Sequence, residues 1–177
     1  RHTFQTRALR EQGLSESAKS EWGQAVKAAN NQKASLVMLL RSAAQWNWLN
    51  ETEELLWAIV NRYPDERWAF RALSQALYTG GRTRPLMMLY TQELKRSPTD
   101  LGLKNNLAMT ALLLDAQEMK PHDLTREVYE KSPTNAAFAS TLAFSLHLQE
   151  KNAEALKIMQ RLKPQELEDP SIAGYYG

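Results

Sequence analysis

The sequence contains no cysteine, which excludes disulfide bridges, thiolate metal sites and a cysteine nucleophile. Glycine and proline are scarce, at seven residues each among 177, and this excludes collagen-like and low-complexity chains. No apolar run approaches the roughly 20 residues that cross a bilayer, so the pattern predicts no membrane-spanning helix. The net charge of +2 is too small to indicate nucleic-acid binding by itself. The chain is long enough for one domain with a sizeable core.

Charge is distributed unevenly along the chain. Residues 1–98 hold 14 Lys and Arg against 9 Asp and Glu, whereas residues 99–177 hold 8 against 11. The first part is therefore positive by five and the second negative by three, which together give the +2 of the whole. Chance variation is one interpretation, and the other is a basic end that attracts an acidic partner.

Prolines recur at a nearly constant interval. Pro64, Pro98, Pro133 and Pro164 are separated by 34, 35 and 31 residues. A period in this range is typical of a solenoid, in which one supersecondary unit is copied and stacked. Such a stack offers a surface suited to binding and no built-in chemistry.

Each proline closes a segment with the same internal pattern of apolar and small residues. The first four positions are Leu36, Leu39, Leu40 and Ala43; Phe70, Leu73, Ser74 and Leu77; Lys104, Leu107, Ala108 and Ala111; and Ala139, Leu142, Ala143 and Leu146. Two later positions are Thr52 and Leu56, Leu86 and Tyr90, Leu124 and Val128, and Ala155 and Met159. Spacings of three, one, three and then four residues place each set on one helix face, so every unit is predicted to be two helices.

Turn and capping residues separate the predicted helices. The turns between the two helices of a unit are expected at Asn47 and Asn50, Gly80-Gly81 and Asn152. Residues whose side-chain oxygens can cap the next helix follow the prolines. They are Asp65, Thr99, Asp100 and Thr134.

The repeated positions together resemble the tetratricopeptide repeat (TPR), a helix–turn–helix unit of about 34 residues. The resemblance implies an all-α, right-handed α-solenoid of about five hairpins, forming a single superhelical domain over residues 1–177. Its parts are a degenerate hairpin at 1–31, repeats at 32–64, 65–98, 99–133 and 134–164, and a truncated terminal helix at 165–177. An unrelated helical bundle stays an alternative, although bundles lack the long period.

No motif in the sequence predicts enzymatic activity, a cofactor or a metal site. Gly80-Gly81-Arg82-Thr83 has the glycines of a phosphate loop but lacks its preceding strand and its lysine. The histidines, His2, His122 and His147, do not stand in a metal-binding spacing. We therefore expect a binding protein and not an enzyme.

The resemblance also implies that the first helix of each hairpin lines a concave groove. The positions expected to contact a partner are Arg41, Gln45, Trp68, Arg71, Gln75, Tyr78, Asn105, Met109, Leu112, Phe144 and His147. Arginines make one end cationic, and Met109, Leu112 and Phe144 make the other end apolar. The expected partner is a protein or peptide with an acidic segment followed by apolar side chains.

Two alternatives to peptide binding follow from the same residues. The chain could be a structural spacer or self-associating segment of a larger protein, forming a homo-oligomer through its C-terminal end at Tyr175 and Tyr176. Alternatively, these tyrosines and Ile172 fill the apolar end of the groove. Nucleic-acid binding is disfavoured because RNA-reading helical repeats use recurring side chains, and Arg41 and Arg71 have no counterparts in the later units.

Overall fold

The structure is a computed structural model that describes residues 2–29, 32–169 and 172. Within these ranges the chain is helical and contains no strand. The helices are α1 (His2–Glu11), α2 (Ser15–Ala29), α3 (Lys33–Gln45), α4 (Leu49–Arg62), α5 (Arg67–Thr79), α6 (Thr83–Leu94), α7 (Leu101–Leu113), α8 (Pro121–Lys131), α9 (Ala136–Leu148), α10 (Asn152–Met159) and α11 (Pro164–Leu167). A 3₁₀ helix at Gln117–Met119 precedes α8. Self-association was predicted to involve Tyr175 and Tyr176. These two tyrosines lie outside the described residues, so self-association through them stays a prediction.

One left-handed residue follows the first helix of every hairpin. These residues are Gly13, Asn47, Gly81, Asp115 and Glu150, with φ from 51° to 74°. Positions 13, 47, 81 and 115 are 34 residues apart, and 150 follows after 35. A left-handed residue lets the chain leave a helix and reverse. The repeat therefore extends in phase from the degenerate first hairpin to the fourth repeat.

The ends of the helices confirm some of the predicted turn and cap residues and correct others. Asn50 and Asn152 are not turn residues, because they lie in the first turns of α4 and α10. Asp100 caps α7 by accepting a hydrogen bond from the backbone N–H of Leu103 at 2.9 Å. The cap of α9 is Asn135 and not Thr134, since the Asn135 side chain accepts from the Phe138 N–H at 3.2 Å.

The first compact unit of the chain is Arg1–Thr79, with α1 to α5. The predicted packing face of α3 is buried as expected, at Leu36, Leu39, Leu40 and Ala43. The other buried apolar residues of this unit are Ala18, Trp22, Ala25, Ala29, Leu55, Leu56, Ile59, Val60, Ala69, Phe70, Leu73 and Leu77. Among the described residues of α1 only Thr6 is buried, because that helix is mostly polar.

The second compact unit is Gly80–Gly177, with α6 to α11. Here α7 packs against α6, α8 and α9, and α9 packs against α8 and α10. Seven of the 13 residues of α7 and eight of the 13 of α9 are buried, so both helices are covered on more than one face. Lys104 of α7 donates to Glu127 of α8 at 2.7 Å, which ties the two helices together at a position where other repeats place an apolar residue.

Ile172 packs against the fourth repeat. Ile172 is buried in a cluster with Ala139 and Ala143 of α9, Met159 of α10 and Leu162. This cluster lies on the packing positions of α9, not on the predicted groove residues. The expectation that Ile172 fills the apolar end of the groove is therefore wrong for this residue.

Candidate protein-interaction surface

Six of the predicted contact residues lie in the first compact unit, and all six are exposed. Arg41 and Gln45 belong to α3; Trp68, Arg71, Gln75 and Tyr78 belong to α5. Tyr78 is 70% exposed and Trp68 is 37% exposed. We call this set of six residues the α3–α5 face.

A three-residue bridge joins the beginnings of α3 and α5. Lys33, the first residue of α3, donates to Oε1 of Glu66 at 2.5 Å, and the indole Nε1 of Trp68 donates to Oε2 of the same carboxylate at 2.6 Å. These two donors, the Lys33 ammonium first, hold the pKa of Glu66 below its usual value. The Glu66 carboxylate in turn raises the pKa of Lys33. The bridge orients the Trp68 ring and brings the two helix starts together.

The arginines of the α3–α5 face are available to a partner. Arg41 and Arg71 are exposed, and neither side chain forms an ion pair or hydrogen bond within the part of the chain that the structure describes. An exposed guanidinium retains five N–H donors in a planar fork suited to a carboxylate. The face therefore combines two open cations with two exposed aromatic rings.

The five predicted contact residues of the second unit are less uniformly placed. Asn105 and Leu112 are only 7% and 6% exposed, so the expectation that they line an open surface is wrong. The reason is that α7 has helices on several sides, and its outward positions are buried as well as its packing face. Met109 and Phe144 are half-buried, and His147 is exposed but bonds Asn152 at 2.8 Å. A partner contact by these three residues stays a prediction.

An aromatic cluster of the first unit was not predicted from the sequence. Four rings from three parts of the unit meet there: Phe4 of α1, Trp22 of α2, and Trp46 and Trp48 of the α3–α4 turn. Arg7 and Arg10 of α1 lie over two of these rings, with Cζ 5.3 Å from the Trp46 centroid and 4.0 Å from that of Trp48, respectively. The signal in the sequence was the spacing of Phe4, Arg7 and Arg10 along one helix face.

The second unit contains a serine–histidine pair that resembles a catalytic arrangement. Nδ1 of His122 lies 2.8 Å from the hydroxyl of Ser145, and Gln149 bonds both residues. Ser145 is fully buried, so its oxygen is out of reach of a substrate. The network is a polar contact between α8 and α9. Across the described residues, no group of three His, Asp or Glu side chains could hold a metal ion, and no helix is long and apolar enough to cross a membrane.

The helical hairpins with a turn every 34 or 35 residues define an all-α solenoid of the tetratricopeptide type. No family model and no curated protein matches the sequence. Solved structures do match: YrrB, a TPR protein with an unusual peptide-binding site, has a TM-score of 0.61 and 11% identity over 98% of this chain and 89% of that chain.

Two further structures agree with this fold. TTC0263, a thermophilic TPR protein of Thermus thermophilus, has a TM-score of 0.54 and 18% identity over 99% of this chain and 95% of its own. MamA from Desulfovibrio magneticus RS-1 has a TM-score of 0.57 and 12% identity over 96% and 95%. The predicted fold class is confirmed, and at these identities the comparison establishes the fold alone.

Proposed function

We propose that this protein is a protein-interaction scaffold and that its α3–α5 face binds a peptide with an acidic segment. The observation that carries the proposal is the pair of exposed arginines, Arg41 and Arg71, which have no internal ion pair among the described residues. An acidic ligand complements both charges, and the exposed rings of Trp68 and Tyr78 offer apolar contact area beside them.

The positions of the two arginines along their helices set the spacing of the acidic groups. Arg41 is eight residues after the start of α3, and Arg71 is four residues after the start of α5. At 1.5 Å per residue these offsets are about 12 Å and 6 Å, and the bridge through Glu66 aligns the two starts. The axial offset of about 6 Å is close to the rise of two residues in an extended peptide. Because neighbouring helices also lie at least about 8–10 Å apart, we expect carboxylates three or more residues apart.

The fold supports binding of this kind. YrrB, which shares the fold, has a peptide-binding site, and helical repeats in general provide extended binding surfaces. The present chain differs in which side chains it offers, so the ligand has to be inferred from the chemistry of the α3–α5 face.

The test is selection of peptides from a random phage-displayed library on the 177-residue chain. Selected peptides should be enriched in Asp and Glu, and their affinity should fall as salt rises, because exposed charges are screened. Each exposed charge contact contributes up to about 1 kcal/mol. Arg41→Ala and Arg71→Ala should therefore each weaken binding by about fivefold.

Arg84→Ala provides the matched control. Arg84 is an exposed arginine of α6 and is not one of the six residues of the α3–α5 face, and its removal changes the net charge equally. Binding should be unchanged in this variant. Equal loss in all three variants would mean that only net charge matters, and unchanged binding in the Arg41 and Arg71 variants would refute the proposed face.

A further inference from the structure

A cavity with an apolar lining lies between α8 and α10, the second helices of the last two hairpins. Its volume is about 280 Å³, which is room for about nine waters at roughly 30 Å³ each. Leu142 and Leu146 of α9, both buried, line it together with the half-buried Tyr129 of α8 and Ile158 of α10. Ligand sites in proteins combine such an apolar lining with a few polar groups. We call this space the α8–α10 cavity.

Charged side chains complete the lining of the α8–α10 cavity. Arg126 and Glu130 belong to α8, Glu154 and Lys157 belong to α10, and Arg161 follows α10. All five residues are exposed. Three cations and two carboxylates give the cavity a net charge of +1. A singly charged anion would therefore neutralise it.

The cations of the cavity have no acidic partner among the residues that the structure describes. The side chains of Arg126 and Lys157 form no ion pair or hydrogen bond there, and Glu130 and Glu154 form none with them. Arg161 donates to the phenolic oxygen of Tyr129 at 3.4 Å, which is a long bond to a neutral group. The guanidinium and ammonium donors are therefore available to a ligand.

Arg126 and Lys157 occupy the same position in successive hairpins. They are 31 residues apart, as are Val128 and Met159, which are buried in α8 and α10. Each cation precedes its buried neighbour by two residues, and both cations line the same cavity. Like charges in one cavity repel each other, and an anion bound between them removes the repulsion.

We infer that the α8–α10 cavity binds a small monocarboxylate that carries an apolar group. The apolar group contacts Tyr129 and Ile158, and the carboxylate lies between Arg126 and Lys157. A guanidinium donates two parallel hydrogen bonds to a carboxylate, and the ammonium adds a point charge. The net charge of +1 favours a carboxylate over a phosphate monoester, which carries about two negative charges. This site uses no residue of the α3–α5 face and stands independently of it.

The competing explanation is that the cations only complement the C-terminal end of α10, where the helix dipole favours positive charge. This explanation accounts for Lys157 and Arg161. It does not account for Arg126, which is the sixth of the 11 residues of α8. It also predicts no ligand, so a binding experiment separates the two explanations.

Titration of the 15N-labelled 177-residue chain with 3-phenylpropanoate tests the inference. Two-dimensional NMR should show saturable shifts of amide signals in α8 and α10, including those of Tyr129 and Ile158. Two matched compounds separate the contributions of charge and apolar area. The neutral 3-phenylpropan-1-ol lacks the charge and acetate lacks the ring, and each should bind about tenfold more weakly or worse.

Substitutions at exposed positions identify the contacts. Arg126→Ala and Lys157→Ala should each weaken the binding of 3-phenylpropanoate about fivefold, since each is an exposed charge contact. Glu154→Gln should strengthen binding, because it removes a carboxylate that competes for the same cations. Lys95→Ala is the matched control and should leave binding unchanged. Lys95 is exposed at the end of α6 and does not line the cavity.

Four results would overturn the inference. Equal affinities of the alcohol and the acid would show an apolar site without preference for an anion. Acetate binding as tightly as 3-phenylpropanoate would show an adventitious ion only. Equal weakening in the three cation variants, the Lys95 control included, would show that only net charge matters. Titration without shifts in α8 and α10 would show that the cavity holds no such ligand. Circular dichroism should confirm that every variant remains folded.

Discussion

Replacing a glycine with alanine should have opposite effects at two positions of the first compact unit. Gly13 has φ +74° in the turn after α1, whereas Gly23 lies inside α2. At both positions an added Cβ would meet no atom within 4 Å. Steric clashes with neighbouring residues are therefore absent from both substitutions, and only the backbone conformation distinguishes them.

The magnitudes follow from that difference. An L-residue in the left-handed region costs roughly 1–2 kcal/mol. Alanine also restricts the unfolded chain more than glycine does, and this offsets about 0.4–1 kcal/mol of the cost. Gly13→Ala should thus lower the free energy of unfolding by about 1 kcal/mol. Gly23→Ala should raise it by about 1 kcal/mol, because alanine is the better helix former by that amount.

Urea unfolding followed by far-ultraviolet circular dichroism measures both free energies under one set of conditions. The two variants should differ by about 2 kcal/mol, which corresponds to roughly 4–8 °C in melting temperature for a chain of this size. Gly13→Asn is a useful third variant, since asparagine tolerates the left-handed conformation and stands at the equivalent position 47. If Gly13→Ala and Gly23→Ala shift stability in the same direction, the turn geometry at Gly13, and with it the phase of the first hairpin, is refuted.

Two further predictions concern the second unit. The Lys104 ammonium, and after it that of Lys131, lowers the pKa of Glu127 from 4.5 to about 2. Because the pKa is lower in the folded state than in the unfolded state, the ionised Glu127 stabilises the fold. This stabilisation is complete above pH 4.5 and is lost as the pH falls toward 2. Acid titration of the unfolding free energy should show that loss, and Glu127→Gln should flatten the profile in this window; an unchanged profile would contradict the assignment. Asp100→Ala removes the side chain that accepts a hydrogen bond from the Leu103 N–H, and it should lower the free energy of unfolding in urea by about 1 kcal/mol. Asp100→Asn keeps a capping oxygen and should retain most of the stability. Equal losses of stability in the two variants would show that the charge, not the cap, matters.

The arrangement of helices was predictable because it depends on local patterns. The spacing of Leu36, Leu39 and Ala43 identifies a packing face without knowledge of its neighbours, and the structure buries that face. The turns were predictable where the residue type favours the left-handed region, as at Asn47 and Gly81. Glu150 adopts the same conformation although its side chain gives no such signal, and only the repeat period points to it.

The candidate site was only partly predictable because exposure depends on how many neighbours a helix has. The repeat pattern assigns Asn105 and Leu112 to an outward face, yet both are buried because α7 packs against α6, α8 and α9. The same positional reasoning correctly predicts that Arg41 of α3 and Arg71 of α5 are exposed. Periodicity thus defines the packing face reliably, but it does not establish that the opposite face is open.

The aromatic cluster of Phe4, Trp22, Trp46 and Trp48 escaped sequence reasoning for a different reason. It depends on contacts between residues far apart in the chain, such as Arg7 on Trp46 and Trp22 against Trp48. Tryptophan fills cores and also marks binding sites, so its presence before position 69 does not distinguish the two roles. Distances between rings and guanidinium groups were needed to recognise the cluster.

Salt dependence should test whether the α3–α5 face binds its ligand through charge. Binding at the α3–α5 face relies on the open charges of Arg41 and Arg71, which ions in solution screen. Apolar contact with Trp68 and Tyr78 adds a contribution that does not weaken as salt rises. A ligand that loses most of its affinity at high salt would therefore support the arginine contacts, and one whose affinity does not change would contradict them. The net positive charge of residues 1–98 favours an acidic ligand.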